Sequence, residues 1–471
     1  MWWMAIGCGP VDLEGVGGVE RVEAAVVAAP AIGAGGAEPH GAPEIGPTNV
    51  LVILLDDVAT ERLAVYGLRD DPPVTPTIDR LAAEGVTFDH AWSTPLCSPS
   101  RAALLTGRYP SRTGIGGLVD SWRDVFDLDP AEVTIPEMLD HSADEWDSSL
   151  VGKWHVASQQ GGPPELDPLD QGFRWAAGSL SNLRDPYGGY FTGDLAYDDW
   201  METRNGDIDR TDEYATLQSG HDAAERIAAM HEPWFLYLPL NSAHEPFHEP
   251  PADLYTTPLP PDPTPAQLYD RMIESADTVL GRLLDDIDPE VLARTTIVLA
   301  GDNGTPIEVV RAPYEPKASK GSVYELGVDV PLIVTGPHVR HPGAHSEALV
   351  HLVDVFATVA DIAGVDTTEL GVPIDGRSLL PAVRDPSAPV HELLFTETFD
   401  PNGFGERTTM QRAIRDERYK FVQHVSIDPP GYSEELYDLE GTLLEGDNLL
   451  DDPALASVVD QLRSELALAV E

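Results

Sequence analysis

Positively charged residues are scarce in this sequence of 471 residues. It has 29 Lys and Arg against 80 Asp and Glu, which gives a formal net charge of −51 at pH 7. Such a charge repels the phosphate backbone of nucleic acids and anionic membrane surfaces, so neither is an expected partner. We interpret most of the carboxylates as a solvated acidic surface. An anionic substrate therefore needs cations that are placed locally against this field.

Cysteine and lysine are also rare. Cys8 and Cys97 are the only cysteines, and they do not imply a disulfide framework. Taken alone, Cys97 is typical of a small buried apolar side chain. The four lysines are Lys153, Lys317, Lys320 and Lys420. Because arginine supplies the other positive charges, each lysine calls for a reason of its own.

Long hydrophobic runs are missing as well. No stretch reaches the roughly 18 apolar residues that a membrane-spanning helix needs, so we expect no membrane span. The most signal-like stretch, residues 24–37, is interrupted by Pro30, and Glu20 and Glu23 stand where a basic region belongs. We therefore expect residues 1–47 to be a flexible leader, and a cytoplasmic location is favoured over export.

Four apolar segments end in polar residues. Residues 49–55 form a continuous apolar run, which is typical of a strand buried on both faces of a parallel sheet. Similar runs cover residues 149–152, 234–240 and 295–300. The polar residues that follow the four runs are Asp56 and Asp57, Lys153 and His155, Asn241 and His244, and Asp302 and Asn303. Since ligands bind beyond the carboxyl ends of such strands, we expect these side chains to meet at one edge.

Helical patterns alternate with these strands. Residues 75–85 carry a threonine N-cap, a first-turn proline and a final glycine, and apolar residues recur every three or four positions between Leu268 and Ile287. The alternation predicts an α/β domain with a large, mostly parallel sheet flanked by helices, over residues 48–385. Short alternating segments and a helix from about Pro453 predict a C-terminal α+β subdomain with a small antiparallel sheet over residues 386–471.

One motif carries a specific resemblance. Cys97-Ser98-Pro99-Ser100-Arg101, followed by Leu105-Thr106-Gly107-Arg108, resembles the signature of the formylglycine-dependent (type I) sulfatases, which have the alkaline-phosphatase-like fold. The resemblance spans roughly residues 48–450. It implies that a formylglycine-generating maturation enzyme oxidises Cys97, and that the hydrated aldehyde presents one hydroxyl to attack sulfur and another to expel sulfate. Pro99 and Ser100 open a helix, so Cys97 would lie at its positive end, where Arg101 also favours a developing oxyanion.

A metal site is the second implication. Asp56-Asp57 alone is typical of a solvated turn, and Asp302-Asn303-Gly304 of a tight turn. Brought together at neighbouring strand ends, three carboxylates and one amide oxygen suit Ca²⁺ or Mg²⁺ better than Zn²⁺. The resemblance implies that these four residues and the modified Cys97 are the metal ligands, with Ca²⁺ the expected ion.

Two lysine motifs complete the predicted site. Gly152-Lys153-Trp154-His155 and Ser319-Lys320-Gly321-Ser322 are similar to the two lysine motifs of the family. The resemblance implies that both lysines hold sulfate, that His155 accepts a proton from formylglycine, and that His244 contacts and protonates the leaving group. Asp302 is a candidate for orienting the attacking hydroxyl. Outside such motifs, a lone lysine is typically a surface charge and His155 a core histidine.

Two features do not fit this pattern. Where the family usually has Glu-Gly-Gly-x-Arg-Val-Pro, this chain has Glu325-Leu326-Gly327-Val328-Asp329-Val330-Pro331, which puts in doubt the backbone and charge of the loop beside Lys320. His244-Glu245-Pro246-Phe247-His248 also fits the zinc-protease pattern His-Glu-x-x-His. That chemistry needs a continuous helix, in which Pro246 would cost about 3 kcal/mol, so we do not expect a protease.

The sequence therefore predicts an enzyme that hydrolyses a sulfate ester, either a small molecule or a glycan. Two alternatives stay open. Some relatives cleave phosphate diesters or phosphonate monoesters with the same formylglycine and metal. The chain would instead be a non-catalytic binding protein if Cys97 stays a thiol. Aryl, sugar and alkyl sulfates are not distinguished by the sequence.

Overall fold

The structure, a computed structural model, describes residues 48–119, 126–160, 162–183, 197–442 and 444–469. The predicted leader, residues 1–47, lies outside them. Ten strands of the described residues form a large sheet: β1 (Asn49–Leu55), β2 (Val86–Trp92), β3 (Asp147–Val151), β4 (Trp175–Gly178), β5 (Trp200–Arg204), β6 (Asp207–Thr211), β7 (Trp234–Pro239), β8 (Thr295–Gly301), β9 (Leu332–Thr335) and β10 (Ala344–His351).

The large sheet is mostly parallel. Its order is β10-β2-β9-β8-β1-β7-β3-β4-β5-β6. The central strands β8, β1, β7, β3 and β4 pair in parallel, whereas β9 is antiparallel to β2 and β8, and β5 is antiparallel to β4 and β6. This arrangement confirms the predicted α/β class, and all four predicted strands are present with small differences at their ends.

Helices cover both faces of this sheet. They are α1 (Pro76–Glu84), α2 (Cys97–Thr106), α3 (Pro110–Thr113), α4 (Ile135–Leu139), α5 (Asp167–Asp170), α6 (Ala215–Ala229), α7 (Pro265–Asp286), α8 (Pro289–Leu292), α9 (Glu325–Val328), α10 (Asp354–Ala363), α11 (Leu380–Arg384) and α12 (Ala456–Ala469). Alternate residues of β1 pack into two hydrophobic clusters, one with α2, α4 and α10 and the other with α1, α6 and α7. The central strand is therefore buried on both sides, as its uninterrupted apolar sequence predicts.

The helices predicted at residues 75–85 and between Leu268 and Ile287 are present as α1 and α7, but the start of α1 is held differently from the prediction. Thr75 precedes α1, yet its side chain makes no capping hydrogen bond. Asp277 of α7 instead accepts hydrogen bonds from the backbone N–H groups of Thr77 and Ile78, at 3.1 and 2.8 Å. Thr75 thus holds the predicted N-cap position, but a carboxylate from a distant helix satisfies the first turn of α1 in place of its side chain.

Four antiparallel strands form the small C-terminal sheet that the sequence predicts. They are β11 (Leu394–Asp400), β12 (Thr409–Arg415), β13 (Tyr419–Ile427) and β14 (Pro430–Asp438), paired in chain order. The terminal helix α12 packs against this sheet through Val459, Leu462 and Leu466. The division at residue 385 stays a prediction. Among the described residues, no helix has both the length and the apolarity to cross a membrane.

Candidate active site

The ends of β1 and β8 bring four polar residues together. The two strands are parallel neighbours, with Leu55 opposite Gly301, so the residues that follow them leave the sheet side by side. The backbone N–H of Asp57 donates to Oδ1 of Asp302 at 2.9 Å. Asp56, Asp57, Asp302 and Asn303 are all buried. The expected convergence at one edge of the sheet is therefore observed for these residues.

Helix α2 brings the predicted nucleophile to the same point. Cys97 is the first residue of α2 and is fully buried. Its Sγ lies 3.5 Å from Oδ1 of Asp56 and 3.7 Å from Oδ1 of Asp57. One turn later, Arg101 donates from Nη2 and Nε to Oδ2 of Asp302, at 2.7 and 3.2 Å. The positive end of the helix and a guanidinium thus both face the group at position 97.

This cluster has the composition of a site for a hard divalent cation. One ligand atom from each of Asp56, Asp57, Cys97 and Asp302 lies within 4.8 Å of the others. Oδ1 of Asn303 is buried and accepts no hydrogen bond from the described residues, while its Nδ2 donates to Asp57 at 2.8 Å. An acceptor left without a donor at this depth is costly unless a cation takes its lone pair. The residues present therefore fit a metal with oxygen ligands.

Two of the four lysines lie in the cluster. Nζ of Lys153, which follows β3, is 2.5 Å from Oδ2 of Asp56, and Nζ of Lys320 is 2.5 Å from Oδ1 of Asp57. Lys317 is exposed and pairs with Glu315. The remaining lysine, in β13, bonds carboxylates outside the cluster. The lysines that match the family motifs are thus the two that reach the carboxylates.

The cations change the ionisation of the carboxylates unequally. Burial would raise the pKa of Asp56, but Lys153, with His244 and Arg101, outweighs it and holds that pKa below its ordinary value. Burial also raises the pKa of Asp57 and Lys320 lowers it, and the pKa of Asp57 again lies below its ordinary value. In contrast, burial and then the charge of Asp56 raise the pKa of Asp302. Arg101, Lys153 and Lys320 therefore balance the three carboxylates one for one.

His155 and His244 border the cluster from two other strand ends. His155 follows β3; its Nδ1 is buried without a partner among the described residues, and burial holds its pKa well below the ordinary value. His244 follows β7, and its Nε2 is 3.9 Å from Oδ2 of Asp57. Burial, then Lys153 and Lys320, lowers the pKa of His244 to about 4. Both imidazoles are thus neutral at pH 7 in this geometry.

The hydrogen bonding of His244 also sets its tautomer. Its Nδ1 lies 2.8 Å from the carbonyl oxygen of Glu245, so Nδ1 must carry a hydrogen and Nε2, on the side of Asp57, has the free lone pair. The segment from residue 240 to residue 264 contains no helix. His248 bonds Tyr214 instead of joining the cluster. The two histidines thus do not form the helical pair of a zinc protease.

Other supports of the site have no local sequence signal. Tyr269 of α7 donates to the carbonyl oxygen of Asp57 at 2.5 Å, and Tyr197 donates to the carbonyl oxygens of Asn241 and His244 at 2.5 and 2.8 Å. These hydroxyls fix the backbone at Asp57, a candidate metal ligand, and in the loop that carries His244. Both tyrosines belong to a hydrophobic cluster of the fold, and no motif in the sequence distinguishes them from ordinary core residues.

The unusual loop after Lys320 packs directly on the loop that carries Asp302 and Asn303. The backbone N–H of Gly304 donates to the carbonyl oxygen of Gly327 at 2.9 Å, and a Cβ on Gly304 would lie 1.8 Å from the carbonyl oxygen of Leu326. Asp329 is buried and accepts from Thr60 at 2.5 Å; burial and the nearby Glu325 raise its pKa well above the ordinary value. Burial therefore disfavours the charged form of Asp329, the acidic residue that departs from the family pattern in this loop.

Comparisons with known proteins show which family the chain matches. A model of the sulfatase family matches residues 48–365, and a model of the C-terminal region of N-sulphoglucosamine sulphohydrolase matches residues 318–470. The N-acetylgalactosamine-6-sulfatase of Sus scrofa is 31% identical over 370 residues, which cover 73% of this chain and 67% of that protein.

Solved structures share the fold. One protein, crystallised in complex with k-i-k-neocarrahexaose, superposes with a TM-score of 0.73 at 22% identity, over 90% of this chain and 93% of that one. Another, solved with its substrate D-glucosamine-2-N,6-O-disulfate, has a TM-score of 0.68 at 20% identity, over 89% of this chain and 97% of that one. At these identities the structures show a common fold.

Proposed function

Because this chain belongs to the sulfatase family and is a sulfuric ester hydrolase, we propose that it removes sulfate from a sulfated saccharide, with Cys97 converted to formylglycine as the nucleophile. One observation carries the choice of nucleophile: Sγ of Cys97 lies 3.5 and 3.7 Å from Asp56 and Asp57 at the positive end of α2. The name of the relative that acts on N-acetylgalactosamine sulfate, and the disulfated glucosamine bound by a structural neighbour, support a saccharide.

The family implies a metal, and we propose Ca²⁺, with Mg²⁺ as the alternative. Its ligands would be Asp56, Asp57, Asp302, Asn303 and the modified residue 97. When bound, the cation supplies Lewis-acid polarisation of the sulfate oxygens. Because three cationic side chains already balance the three carboxylates, a divalent ion leaves the site with a charge of about +2. That local charge would oppose the field of the acidic chain and favour an anionic ester.

Four side chains act on the sulfate and on the nucleophile. Lys153 and Lys320 hold the sulfate oxygens and stabilise the charge that develops on them. Arg101 fixes Asp302 through two hydrogen bonds to one carboxylate oxygen, and Asp302 orients the attacking hydroxyl. His155, neutral and with a free ring nitrogen, accepts a proton from formylglycine when sulfate is expelled.

We assign His244 to the leaving group. Its Nδ1 is fixed by a backbone carbonyl, which turns Nε2 toward the cluster. A protonated Nε2 would donate a proton to the departing sugar oxygen, which is a poor leaving group without one. Burial and the positive charges of Lys153 and Lys320 lower the pKa of His244 and so disfavour its protonation. A bound sulfate anion offsets those charges and makes protonation of Nε2 easier.

A pair of rate comparisons tests this function. The purified protein would be assayed on p-nitrophenyl sulfate, on a p-nitrophenyl phosphodiester and on 6-sulfated N-acetylgalactosamine. We expect kcat/KM for the sulfate ester to exceed that for the diester with the same leaving group, and the sulfated sugar to be hydrolysed. A large excess for the diester would favour phosphodiester or phosphonate hydrolysis instead. Aryl sulfate turnover without any sugar turnover would refute the saccharide assignment.

A further inference from the structure

A loop of the C-terminal sheet borders the nucleophile. The segment after α3 runs from Gly114 to Val119, whose backbone N–H donates to Oγ of Ser98 at 2.9 Å, next to Cys97. The loop between β11 and β12 packs on this segment. Oδ1 of Asn402 accepts from the backbone N–H groups of residues 116 and 117, at 3.0 and 2.7 Å. The small sheet therefore contributes to one side of the active-site rim.

This rim holds two large apolar side chains in water. Phe404 is 64% exposed and Leu118 is 51% exposed, although exposed apolar side chains of this size are few among the described residues. The carbonyl oxygen of Leu118 accepts from Nδ2 of Asn402 at 3.3 Å, so the two segments are joined here. Leu118 directly precedes the residue bonded to Ser98, and the patch is thus continuous with the site of the nucleophile.

The exposed ring is held firmly from below. Phe126 meets Phe404 edge to face, with ring centroids 5.6 Å apart. The backbone N–H of Gly403 donates to the carbonyl oxygen of Gly114 at 2.7 Å. Gly114 has φ +78°, and a Cβ there would lie 2.7 Å from the ring of Phe126 and 3.2 Å from that of Phe404. A fixed aromatic face with little conformational entropy left to lose is a favourable surface for stacking.

Two arginines lie around one carboxylate where this loop joins the sheet. The guanidinium of Arg407 lies 3.6 Å from the ring centroid of Phe399 and 3.7 Å from Glu397, which also pairs with Arg412 at 3.4 Å. Two arginines thus share the buried carboxylate of Glu397, and Glu406 precedes Arg407 in the chain. Both guanidinium side chains keep some exposure, 19% and 14%. Such a group is unusual on a chain with a net charge of −51 and suits an anion.

We propose that Phe404, Leu118 and Arg407 form a subsite for the sugar ring that neighbours the sulfated one. The apolar face of that ring stacks on Phe404 and Leu118, and Arg407 binds an anionic substituent, a carboxylate or a second sulfate. This inference rests on the proposed saccharide substrate, and it involves binding alone, since the sulfate reacts at residue 97. It gives a role to a rigid aromatic ring that is exposed beside the segment bonded to Ser98.

The test compares two chain lengths of one substrate. Wild type and Phe404→Ala would be assayed on 6-sulfated N-acetylgalactosamine as a monosaccharide and as the terminal unit of a sulfated trisaccharide, with p-nitrophenyl sulfate as a third substrate. Loss of one aromatic contact should lower kcat/KM for the trisaccharide roughly two- to tenfold, mainly through KM. Turnover of the monosaccharide and of p-nitrophenyl sulfate should stay unchanged. Arg407→Gln should add a loss only when the neighbouring ring is charged.

Tyr432→Ala is the matched control, because Tyr432 is 62% exposed on β14 of the same sheet and does not touch the rim segments. It should leave all three rates unchanged. Equal losses on all substrates, or no loss on the trisaccharide, would overturn the subsite. A dimer seen by light scattering that Phe404→Ala dissolves would show that the patch binds a second copy instead. If wild type hydrolyses p-nitrophenyl sulfate but neither saccharide, the proposed function itself fails and the sugar subsite with it.

Discussion

The activity of a Lys320→Ala variant distinguishes a lysine that acts in catalysis from one that is only a surface charge. Nζ of Lys320 lies 2.5 Å from Oδ1 of Asp57, and its side chain is only 16% exposed, so solvent screens it weakly. In the proposed mechanism it is one of two lysines that hold the sulfate. Losing one preorganised contact to the transition state costs roughly 10²- to 10³-fold in kcat, about 2.7–4 kcal/mol. We expect a loss of this size for Lys320→Ala.

The chain offers a control three residues away. Lys317 is a lysine of the same segment, but its side chain is 73% exposed and its Nζ pairs with Glu315 at 3.1 Å. Lys317→Ala should change kcat less than about twofold, because exposed ion pairs contribute little. Lys320→Arg, which keeps the charge but changes its geometry, should give an intermediate rate.

The assay is steady-state hydrolysis of p-nitrophenyl sulfate, with the thermal midpoint and the bound metal measured for every variant. These two measurements are needed because loss of Lys320 also removes a partner of buried Asp57. A Lys320→Ala variant that is folded, loaded with metal and within a few-fold of wild type in kcat would refute the role of Lys320 in holding sulfate.

Three further predictions concern other parts of the site. His244→Ala should slow esters of poor leaving groups, such as sugar sulfates, far more than p-nitrophenyl sulfate, with His248→Ala as the control; equal slowing of both esters would contradict the leaving-group role. Removal of metal with a chelator should abolish turnover, and Ca²⁺ or Mg²⁺ should restore it; restoration by Zn²⁺ alone would contradict the oxygen-ligand site. Burial raises the pKa of Asp167 to about 7, although Trp154 donates to it. The folded state then binds this proton more tightly than the unfolded state, so stability falls as pH rises from about 4 to 7, and Asp167→Asn should raise the thermal midpoint at pH 8 but not at pH 4. An equal effect at both pH values would exclude this cause.

Much of the site could be predicted because its residues follow local patterns. Asp56 and Asp302 each follow a buried apolar strand, β1 or β8. The end of the apolar run in the sequence predicts the end of the strand, and so the position of the aspartate. The helix that carries Cys97 is also predicted from local residues, Pro99 and Ser100, although it begins two residues earlier, at Cys97 itself. Convergence of these ends follows from the parallel order of neighbouring strands.

The parts that could not be predicted depend on contacts between distant segments. The bond from Tyr269 to Asp57 joins residues 212 positions apart, and no periodicity encodes such a pair. The same reason explains why the sequence does not reveal what caps the first turn of α1, since Asp277 comes from another helix. Only the folded chain reveals these partners.

Lys420 is a further example. It is fully buried, and its Nζ lies 2.9 Å from Glu325 and 2.9 Å from Glu445. Glu325 begins α9, whose backbone packs on Gly304, next to Asp302 and Asn303. The lysine thus links the C-terminal sheet to the site through an ion pair between segments 95 residues apart. Sequence alone singles out this lysine but does not assign it a partner.

The central claim is that residue 97 acts as an aldehyde hydrate and not as a thiol. Mass spectrometry of the peptide that contains residue 97, from protein produced with graded amounts of a formylglycine-generating enzyme, tests it most directly. Specific activity on p-nitrophenyl sulfate should rise in proportion to the fraction of aldehyde and extrapolate to zero at none. Full activity in protein whose residue 97 is entirely a thiol would contradict the claim.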